Sequence, residues 1–168
     1  MAFRLKLPDP SMCKALAVKY GIAGGNVLCV NLRTLDQETN RRVVNYVVRL
    51  IQDFVKRGFN KIVFIPFGLG SFEDRFFDDD LIIAKMLREH IPDLIIIEEL
   101  SPRSVLCLFN YSDYVIAMRH HAVIFALLAK KPLTAIIYDT KTLELLKDVN
   151  SDDVRVVLIS KLMYGSNA

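Results

Sequence analysis

The chain has 168 residues, a net charge of +3 at pH 7 and 52% hydrophobic residues. This length suits one domain with a sizeable core, and the mild, unclustered positive charge gives little support to nucleic-acid binding. The apolar runs are too short to span a bilayer, so no transmembrane segment is expected. The high apolar content instead predicts a sheet covered on both faces, together with an apolar surface that contacts a partner domain or subunit.

The three cysteines, Cys13, Cys29 and Cys107, are odd in number, widely spaced and set in apolar or helical surroundings. The sequence contains no Cys-x-x-Cys pair. We therefore expect reduced, buried thiols and a cytoplasmic location.

The N-terminal segment 1–10 has the composition of a linker, because it places two prolines in a short polar frame. A domain is predicted over 11–163, followed by a frayed tail over 164–168. Helical periodicity and capping residues predict helices over 11–20, 41–56, 78–90, 101–111, 122–129 and 140–148. Short apolar runs predict strands over 27–33, 61–66, 93–98, 114–118 and 133–138, and a sixth strand or extended segment over 154–159.

Capping residues are predicted for two of these helices, and a buried stripe is predicted for another. Ser11 is the predicted cap of the first helix, and Ser101, followed by Pro102, is the predicted cap of the fourth. In the second helix, residues at helical spacing are expected to form one buried stripe: Val43, Val44, Val47, Val48, Ile51, Phe54 and Val55.

Strands and helices alternate along the chain, and the strands are continuous apolar runs rather than alternating polar and apolar residues. Strands of this kind are buried on both faces, as in doubly wound domains. The sequence therefore predicts a single Rossmann-like three-layer α/β domain with a mostly parallel sheet of about six strands.

The stretch 114–126 is the centre of the functional interpretation. A predicted strand is followed by helical periodicity with no Gly or Pro between them. Arg119, His120 and His121 are then expected to occupy the turn itself, beside the free N–H groups of a helix N-terminus. This combination predicts an anion site with a proton-transfer group next to it. The alternative is that the three side chains are merely solvated or bond to nearby carbonyls.

Ligands of doubly wound sheets bind beyond the carboxyl ends of the strands. In this chain, basic and proton-active residues follow those ends, whereas the opposite edge carries few of them. Successive strands are followed by Arg33, the Gly68–Asp74 loop, Glu98-Glu99, Arg119-His120-His121, and Tyr138-Asp139 with Lys141. We therefore expect the functional site along this edge.

Two other motifs have ordinary structural explanations. Gly68-Leu69-Gly70 lacks the third glycine of a dinucleotide fingerprint and no Walker lysine follows it, so a ligand loop or an ordinary turn is expected. Acidic residues near the start of the helix 78–90 are expected to complement the helix dipole rather than to bind a metal. These residues are Glu73, Asp74, Asp78, Asp79 and Asp80.

Several of these residues stand in an order that resembles the polysaccharide pyruvyl transferase family. Its members carry a strand, Arg-x-His-Ala at the start of a helix, Phe-Ala, and later a Pro before a strand that ends in Tyr-Asp-x-Lys. The corresponding residues here are Asp113, Arg119-His120-His121-Ala122, Ile124-Phe125-Ala126, Pro132 and Tyr138-Asp139-Thr140-Lys141. Further similarity lies in Arg33, in Ile65-Pro66-Phe67 with Asp80-Leu81, and in Asp9-Pro10-Ser11. The resemblance covers roughly Leu7 to Val149.

This resemblance implies one half of a GT-B fold, in which two Rossmann-type domains enclose the substrate cleft. Members of the family transfer the enolpyruvyl carbons of phosphoenolpyruvate to two hydroxyls of a sugar and so form a cyclic ketal. It implies phosphoenolpyruvate as the donor substrate, no cofactor, and a sugar or polysaccharide precursor as the acceptor. The chain would then begin at the linker between the two domains. A homo-oligomer or a separate N-terminal-domain partner would complete the site.

The resemblance also implies roles for individual residues. Arg33 and Arg119 would hold the carboxylate and phosphate of the donor. His121 would be the general acid that protonates the methylene carbon of the donor, or would guide the developing charge. His120 stands where family members have an aliphatic residue, which leaves open which imidazole faces the ligand. Tyr138 and Lys141 are expected to line the same edge, although Lys141 could equally cap the helix by its charge. Gly68, from the candidate ligand loop, is expected to line the donor site as well.

Two other interpretations stay open. A non-catalytic α/β module that binds a small anion or a partner chain also fits the high apolar content. A nucleotide-sugar glycosyltransferase domain of the GT-B type is the other, although no acidic residue is clearly placed to bind a ribose.

Overall fold

The computed structural model describes residues 8–68, 79–98, 101–149 and 152–164. In these residues a single sheet is formed by β1 (Val27–Asn31), β2 (Lys61–Phe64), β3 (Ile95–Ile96), β4 (Tyr114–Ala117), β5 (Leu133–Ile137) and β6 (Val154–Leu158). The six strands lie in the order β3-β2-β1-β4-β5-β6, and every neighbouring pair is parallel. The predicted Rossmann-like α/β class and the number of strands are therefore confirmed.

The described residues also form helices before, between and after the strands. These are α1 (Pro10–Lys19), α2 (Gln37–Lys56), α3 (Asp80–His90), α4 (Pro102–Tyr111), α5 (His120–Leu128), α6 (Thr140–Lys147) and α7 (Ile159–Tyr164). The first six overlap the predicted helices, and Ser101 caps α4 as predicted. The sequence does not predict α7, because this short helix follows β6 without an intervening turn.

Two helix starts differ from the prediction because aspartates provide the caps. Asp9 caps α1 by accepting a hydrogen bond from the Ser11 backbone N–H at 3.0 Å, so Ser11 lies inside the helix. Asp36 caps α2 by accepting from the Thr39 backbone N–H at 3.0 Å, and the helix begins at Gln37 rather than at 41. A carboxylate at this position satisfies an N–H that has no partner within the helix.

The sheet lies between two helical layers. One face packs against α1, α4, α5 and α6, and the other against α2, α3 and α7. Successive strand residues point to opposite faces of the sheet. Cys29 therefore packs on the face that α1, α4, α5 and α6 cover, while Leu28 and Val30 pack on the face that α2, α3 and α7 cover. Burial on both faces is thus confirmed. Val55 is 51% exposed, so the buried stripe of α2 ends at Phe54.

The apolar surface expected for a partner is not concentrated on one element of the described chain. Large hydrophobic side chains are exposed on α1, α2, α5, β6 and α7. They are Val18, Val55, Leu128, Val156 and Tyr164.

The cysteines correct one sequence prediction. Cys13 of α1 and Cys107 of α4 form a disulfide with an S–S distance of 2.02 Å, although 94 residues separate them in the chain. The packing of α1 against α4 brings them together, which cysteine spacing alone does not reveal. Cys29 is buried and free, as predicted, and burial raises the pKa of its thiol to about 12. The disulfide removes part of the basis for a cytoplasmic location, which stays a prediction.

Within the described ranges, none of the helices is both long enough and apolar enough to cross a membrane.

Candidate functional site

The order of the strands reverses between β1 and β4. After β1 the chain crosses to α2 on one face of the sheet, and after β4 it crosses to α5 on the other. The crevice outside the carboxyl ends of strands at such a switch point is where doubly wound domains bind ligands. Arg33 follows β1, and Arg119, His120 and His121 follow β4. The predicted site residues therefore lie at this crevice.

Asn31, the last residue of β1, joins the ends of the three central strands. Its side chain is fully buried, and its Nδ2 donates to the carbonyl of Ile65 just after β2 at 2.9 Å. Its Oδ1 accepts from the backbone N–H of Arg119 at 3.1 Å. Asn31 is not among the site residues predicted from the sequence, although an amide at the end of an otherwise apolar strand is a signal that could have identified it.

The helix after β4 begins earlier than the sequence predicts. Arg119 is the N-cap residue of α5, in extended conformation, and both His120 and His121 belong to the first turn of the helix. The prediction that all three residues occupy a turn before the helix is therefore wrong for the two histidines. The Arg119 side chain makes no capping hydrogen bond, so the first N–H groups of α5 are not satisfied by it. This leaves an N-terminal helix end at the crevice, as expected.

The Arg119 guanidinium is held side-on by the Asp80 carboxylate. Arg119 Nη2 donates to Asp80 Oδ1 at 2.7 Å, and Nε donates to Oδ2 at 2.8 Å. Asp80 is fully buried and the Arg119 side chain is 17% exposed. Desolvation raises the pKa of the Asp80 carboxyl above its usual range, while the guanidinium beside it opposes that shift. Paired in this geometry, the guanidinium keeps Nη1 and the outer N–H of Nη2 for other partners.

Asp80 also fixes the backbone that follows β2. Its Oδ2 accepts from the backbone N–H groups of Phe67 at 2.9 Å and Gly68 at 3.1 Å, and its own N–H donates to the Gly68 carbonyl at 2.8 Å. Gly68, predicted to line the donor site, thus lies beside Asp80 and uses its N–H there. The rest of the predicted Gly68–Asp74 loop lies outside the described residues. In the sequence Asp80 is an acidic residue at a helix start and, with Leu81, part of the family resemblance, but neither feature predicts its contact with Arg119.

Arg33 and Tyr138, which follow β1 and β5, lie together across the end of β4. Arg33 Nη1 donates to the Tyr138 hydroxyl at 2.9 Å, and the guanidinium carbon is 5.2 Å from the centre of the Tyr138 ring. A cation over an aromatic face is attracted by its quadrupole, so the ring and the hydroxyl both orient Arg33. The structure therefore brings together two of the residues that the sequence assigned to donor binding.

The two histidines have different surroundings. His120 Nδ1 lies 3.0 Å from the hydroxyl oxygen of Thr142 in the first turn of α6, whereas His121 is exposed. Partial burial lowers the pKa of His120, and the nearby charges of Lys141 and His121 lower it further. Lys141 is exposed at the start of α6. The two imidazole ring centres are 5.8 Å apart.

The acidic residues near α3 that fall in the described chain have structural partners. Asp79 caps the helix by accepting from the Leu81 backbone N–H at 3.0 Å, and Asp80 pairs with Arg119. Glu73, Asp74 and Asp78 lie outside the described residues. Across the described residues, no group of three or more His, Cys, Asp and Glu side chains is arranged to hold a metal ion.

The sequence of the crevice-forming part of the chain matches a known protein family. The sequence profile described as "Polysaccharide pyruvyl transferase" matches residues 7–140, which include β1 to β5 and every residue of the crevice except Lys141 and Thr142. The chain belongs to the polysaccharide pyruvyl transferase family. The family resemblance predicted from the Arg-x-His-Ala and Tyr-Asp segments is thereby confirmed. No curated protein matches the sequence.

The fold of this pyruvyl transferase family member is also found in a solved glycosyl transferase. The crystal structure of the glycosyl transferase family 9 from Veillonella parvula DSM 2008 aligns with a TM-score of 0.56 at 12% sequence identity. The alignment covers 97% of this chain and 46% of that one, so the chain spans about half the length of the solved structure. A likeness at this identity concerns the fold, and it agrees with the predicted half of a GT-B architecture.

Proposed function

We propose that this chain is the donor-binding half of a polysaccharide pyruvyl transferase, which transfers a pyruvyl group from phosphoenolpyruvate to two hydroxyls of a sugar as a ketal. The proposal is carried by the grouping of Arg33, Arg119 and His121 beyond the carboxyl ends of β1 and β4, in a member of this family. A second domain, a second chain or another copy would complete the acceptor side.

The two arginines suit the donor because phosphoenolpyruvate carries a carboxylate and a phosphate. Guanidinium groups bind both anions through paired, charge-assisted hydrogen bonds. Arg33 is oriented by Tyr138 and Arg119 by Asp80, so little side-chain freedom is lost when the donor binds. The uncapped N-terminus of α5 adds partial positive charge at the same crevice.

His121 is the better candidate for the acid. The lowered pKa of His120 keeps its ring neutral near pH 7, and its Nδ1 is engaged by Thr142. His121 is exposed in the first turn of α5, beside the helix N-terminus that would hold the anionic donor. The proposed division of work is that His121 transfers a proton and His120 fixes the start of α5 against α6.

The proposed reaction needs no cofactor. His121 gives a proton to the methylene carbon of the donor, which makes the adjacent carbon electrophilic. One sugar hydroxyl adds to that carbon, and the second then displaces phosphate. Of the two protons that the hydroxyls lose, one restores His121 and the other leaves with the phosphate. The positive groups of Arg33 and Arg119 would stabilise the carboxylate and the departing phosphate throughout.

Calorimetric titration of phosphoenolpyruvate tests the donor site directly. The wild-type chain should bind saturably, and Arg33→Gln should weaken binding at least about tenfold, since a charge-assisted hydrogen bond is lost. Arg155→Gln is the matched control, because it removes the same charge from an exposed position on β6. Absence of saturable binding by the wild-type chain at millimolar donor would contradict the proposal.

The variant His121→Gln distinguishes a role of His121 in donor binding from a role in proton transfer. This variant should bind the donor with an affinity close to that of the wild type, because glutamine keeps a polar side chain but cannot act as an acid near neutral pH. In heavy water, with an acceptor half present, deuterium should enter the methyl group of the product only with His121 in place. Equal incorporation by His121→Gln would reassign the acid.

The second candidate is the donor half of a nucleotide-sugar glycosyltransferase, and the fold shared with the family 9 glycosyl transferase favours it. A ligand that binds the folded state raises its melting temperature. Stabilisation by a nucleoside diphosphate that phosphoenolpyruvate does not reproduce would support this second candidate over the first.

A further inference from the structure

We propose that Asp80 is a positioning residue for donor binding: it fixes the orientation of the Arg119 guanidinium and joins it to the backbone that follows β2. This inference rests on the proposed function for its effect on the donor, but the positioning itself can be tested without one.

The contacts of Asp80 give it this role. Both carboxylate oxygens take part in the side-on pair with Arg119, at 2.7 Å and 2.8 Å, and Oδ2 also accepts the backbone N–H groups of Phe67 and Gly68. Asp80 has no exposed surface. Its carboxylate is therefore fixed, and the plane of the guanidinium is set by a side chain at the start of α3 that is itself bonded to the backbone after β2.

The backbone of Arg119 is fixed as well. The buried amide of Asn31 accepts its N–H at 3.1 Å, while the Asn31 Nδ2 donates to the carbonyl of Ile65. Backbone and side chain of Arg119 are thus held by separate buried partners. Such support leaves Nη1 and the outer N–H of Nη2 in one orientation for a carboxylate or phosphate.

Positioning and simple electrostatics predict opposite signs for the loss of Asp80. A carboxylate near an anion site repels the anion, so removal of its charge alone would tighten donor binding. Loss of a positioning contact would weaken it, because the guanidinium then has to be ordered when the donor binds. The sign of the change therefore separates the two roles.

The experiment compares Asp80→Asn with Asp79→Asn by titration of phosphoenolpyruvate into the whole chain. Asp79→Asn removes the same charge one residue away and keeps a good helix cap, and Asp79 is not bonded to Arg119. We expect Asp79→Asn to bind as well as or better than the wild type, and Asp80→Asn to bind about tenfold more weakly or worse. Equal or tighter binding by Asp80→Asn would overturn the proposal.

Arg119→Lys provides the same test if Asp80→Asn does not fold. Lysine keeps the charge but is a point donor that cannot bond side-on to both carboxylate oxygens. Positioning predicts that this variant also loses about tenfold or more in affinity. Wild-type affinity in Arg119→Lys would show that charge alone suffices and would overturn the proposal.

Nuclear magnetic resonance of the arginine Nε–H groups tests positioning without the donor. The Arg119 signal, identified by its absence in Arg119→Lys, should be protected from exchange with water in the wild type and broadened or lost in Asp80→Asn. An unchanged signal in Asp80→Asn would overturn the positioning role. If the wild-type chain fails to bind phosphoenolpyruvate, the proposed function fails while this measurement still decides the role of Asp80.

Discussion

The two arginines of the candidate site are held by different kinds of partner. Arg119 is bonded to the fully buried carboxylate of Asp80. Arg33 is bonded to the hydroxyl of Tyr138 and lies over the ring of that tyrosine. The first arrangement joins β2 to β4, and the second joins the ends of β1 and β5. Together they span four adjacent strands of the sheet.

The difference matters because an ion pair and a neutral contact respond differently to loss of one partner. A buried charge whose partner is removed remains desolvated and uncompensated. A guanidinium that loses a phenol hydroxyl loses one hydrogen bond and keeps the aromatic contact if the ring stays. Loss of the Arg119 contacts should therefore lower both the free energy of unfolding and the affinity for the donor. Loss of the Arg33 contacts should mainly lower the affinity for the donor.

The largest effect is expected for Asp80→Ala. It leaves the Arg119 guanidinium and the N–H groups of Phe67 and Gly68 without their acceptor, and should lower the free energy of unfolding by about 3–5 kcal/mol in urea denaturation. The control Asp79→Ala removes only the helix cap and should lower it by about 1 kcal/mol.

The double variant Asp80→Ala with Arg119→Met completes this test. Removal of both charges should destabilise the chain less than the sum of the two single changes, because neither partner is then left buried alone. Simple additivity, or a loss for Asp80→Ala no larger than for Asp79→Ala, would show that the pair is not coupled and would remove the contrast between the two arginines.

A smaller effect is expected at the other arginine. Tyr138→Phe removes the hydroxyl that accepts from Arg33 but keeps the ring, and should lower the free energy of unfolding by about 1 kcal/mol. Tyr138→Leu also removes the ring and should cost roughly 0.5–1 kcal/mol more. Tyr164→Phe is the matched control, since Tyr164 is 87% exposed. If Tyr138→Phe destabilises the chain as much as Asp80→Ala, the proposed difference between ionic and neutral support is wrong.

The sequence predicts the Arg33 arrangement better than the Arg119 arrangement. Continuous apolar runs predict parallel strands, and the carboxyl ends of such strands share one edge. Placing Arg33 and Tyr138 at that edge therefore needs only the fold class. Both residues also stand at the ends of strands that the structure separates by one strand, β4.

The Asp80 contact could not be predicted in the same way. An aspartate at the start of a helix has a sufficient local explanation as a cap. The family resemblance includes Asp80-Leu81, but it does not say that Asp79 is the cap or that Asp80 is buried. Which of two neighbours points inward depends on how α3 packs. The pairing of Cys13 with Cys107 was missed for the same reason, because it depends on which helices are neighbours.

The smallest effect concerns His120 and the pH dependence of stability. Its pKa is lowered in the folded state, so the folded chain binds fewer protons than the unfolded chain below the ordinary imidazole value of about 6.5. Stability contributed by this group is therefore present above that value and is lost as the pH falls from it through the lowered pKa of the folded state. The cause is partial burial, together with Lys141 and His121 nearby.

His120→Gln should reduce this loss, because glutamine can still bond to Thr142 but does not titrate. Urea denaturation at several values between roughly pH 5.5 and 7.5 should give a shallower decline for the variant than for the wild type. His90→Gln, at an exposed position at the end of α3, removes an imidazole elsewhere and is the control. Parallel curves for wild type and His120→Gln would mean that His120 is not held neutral. The assignment of the acid to His121 rather than to His120 would then lose its main support.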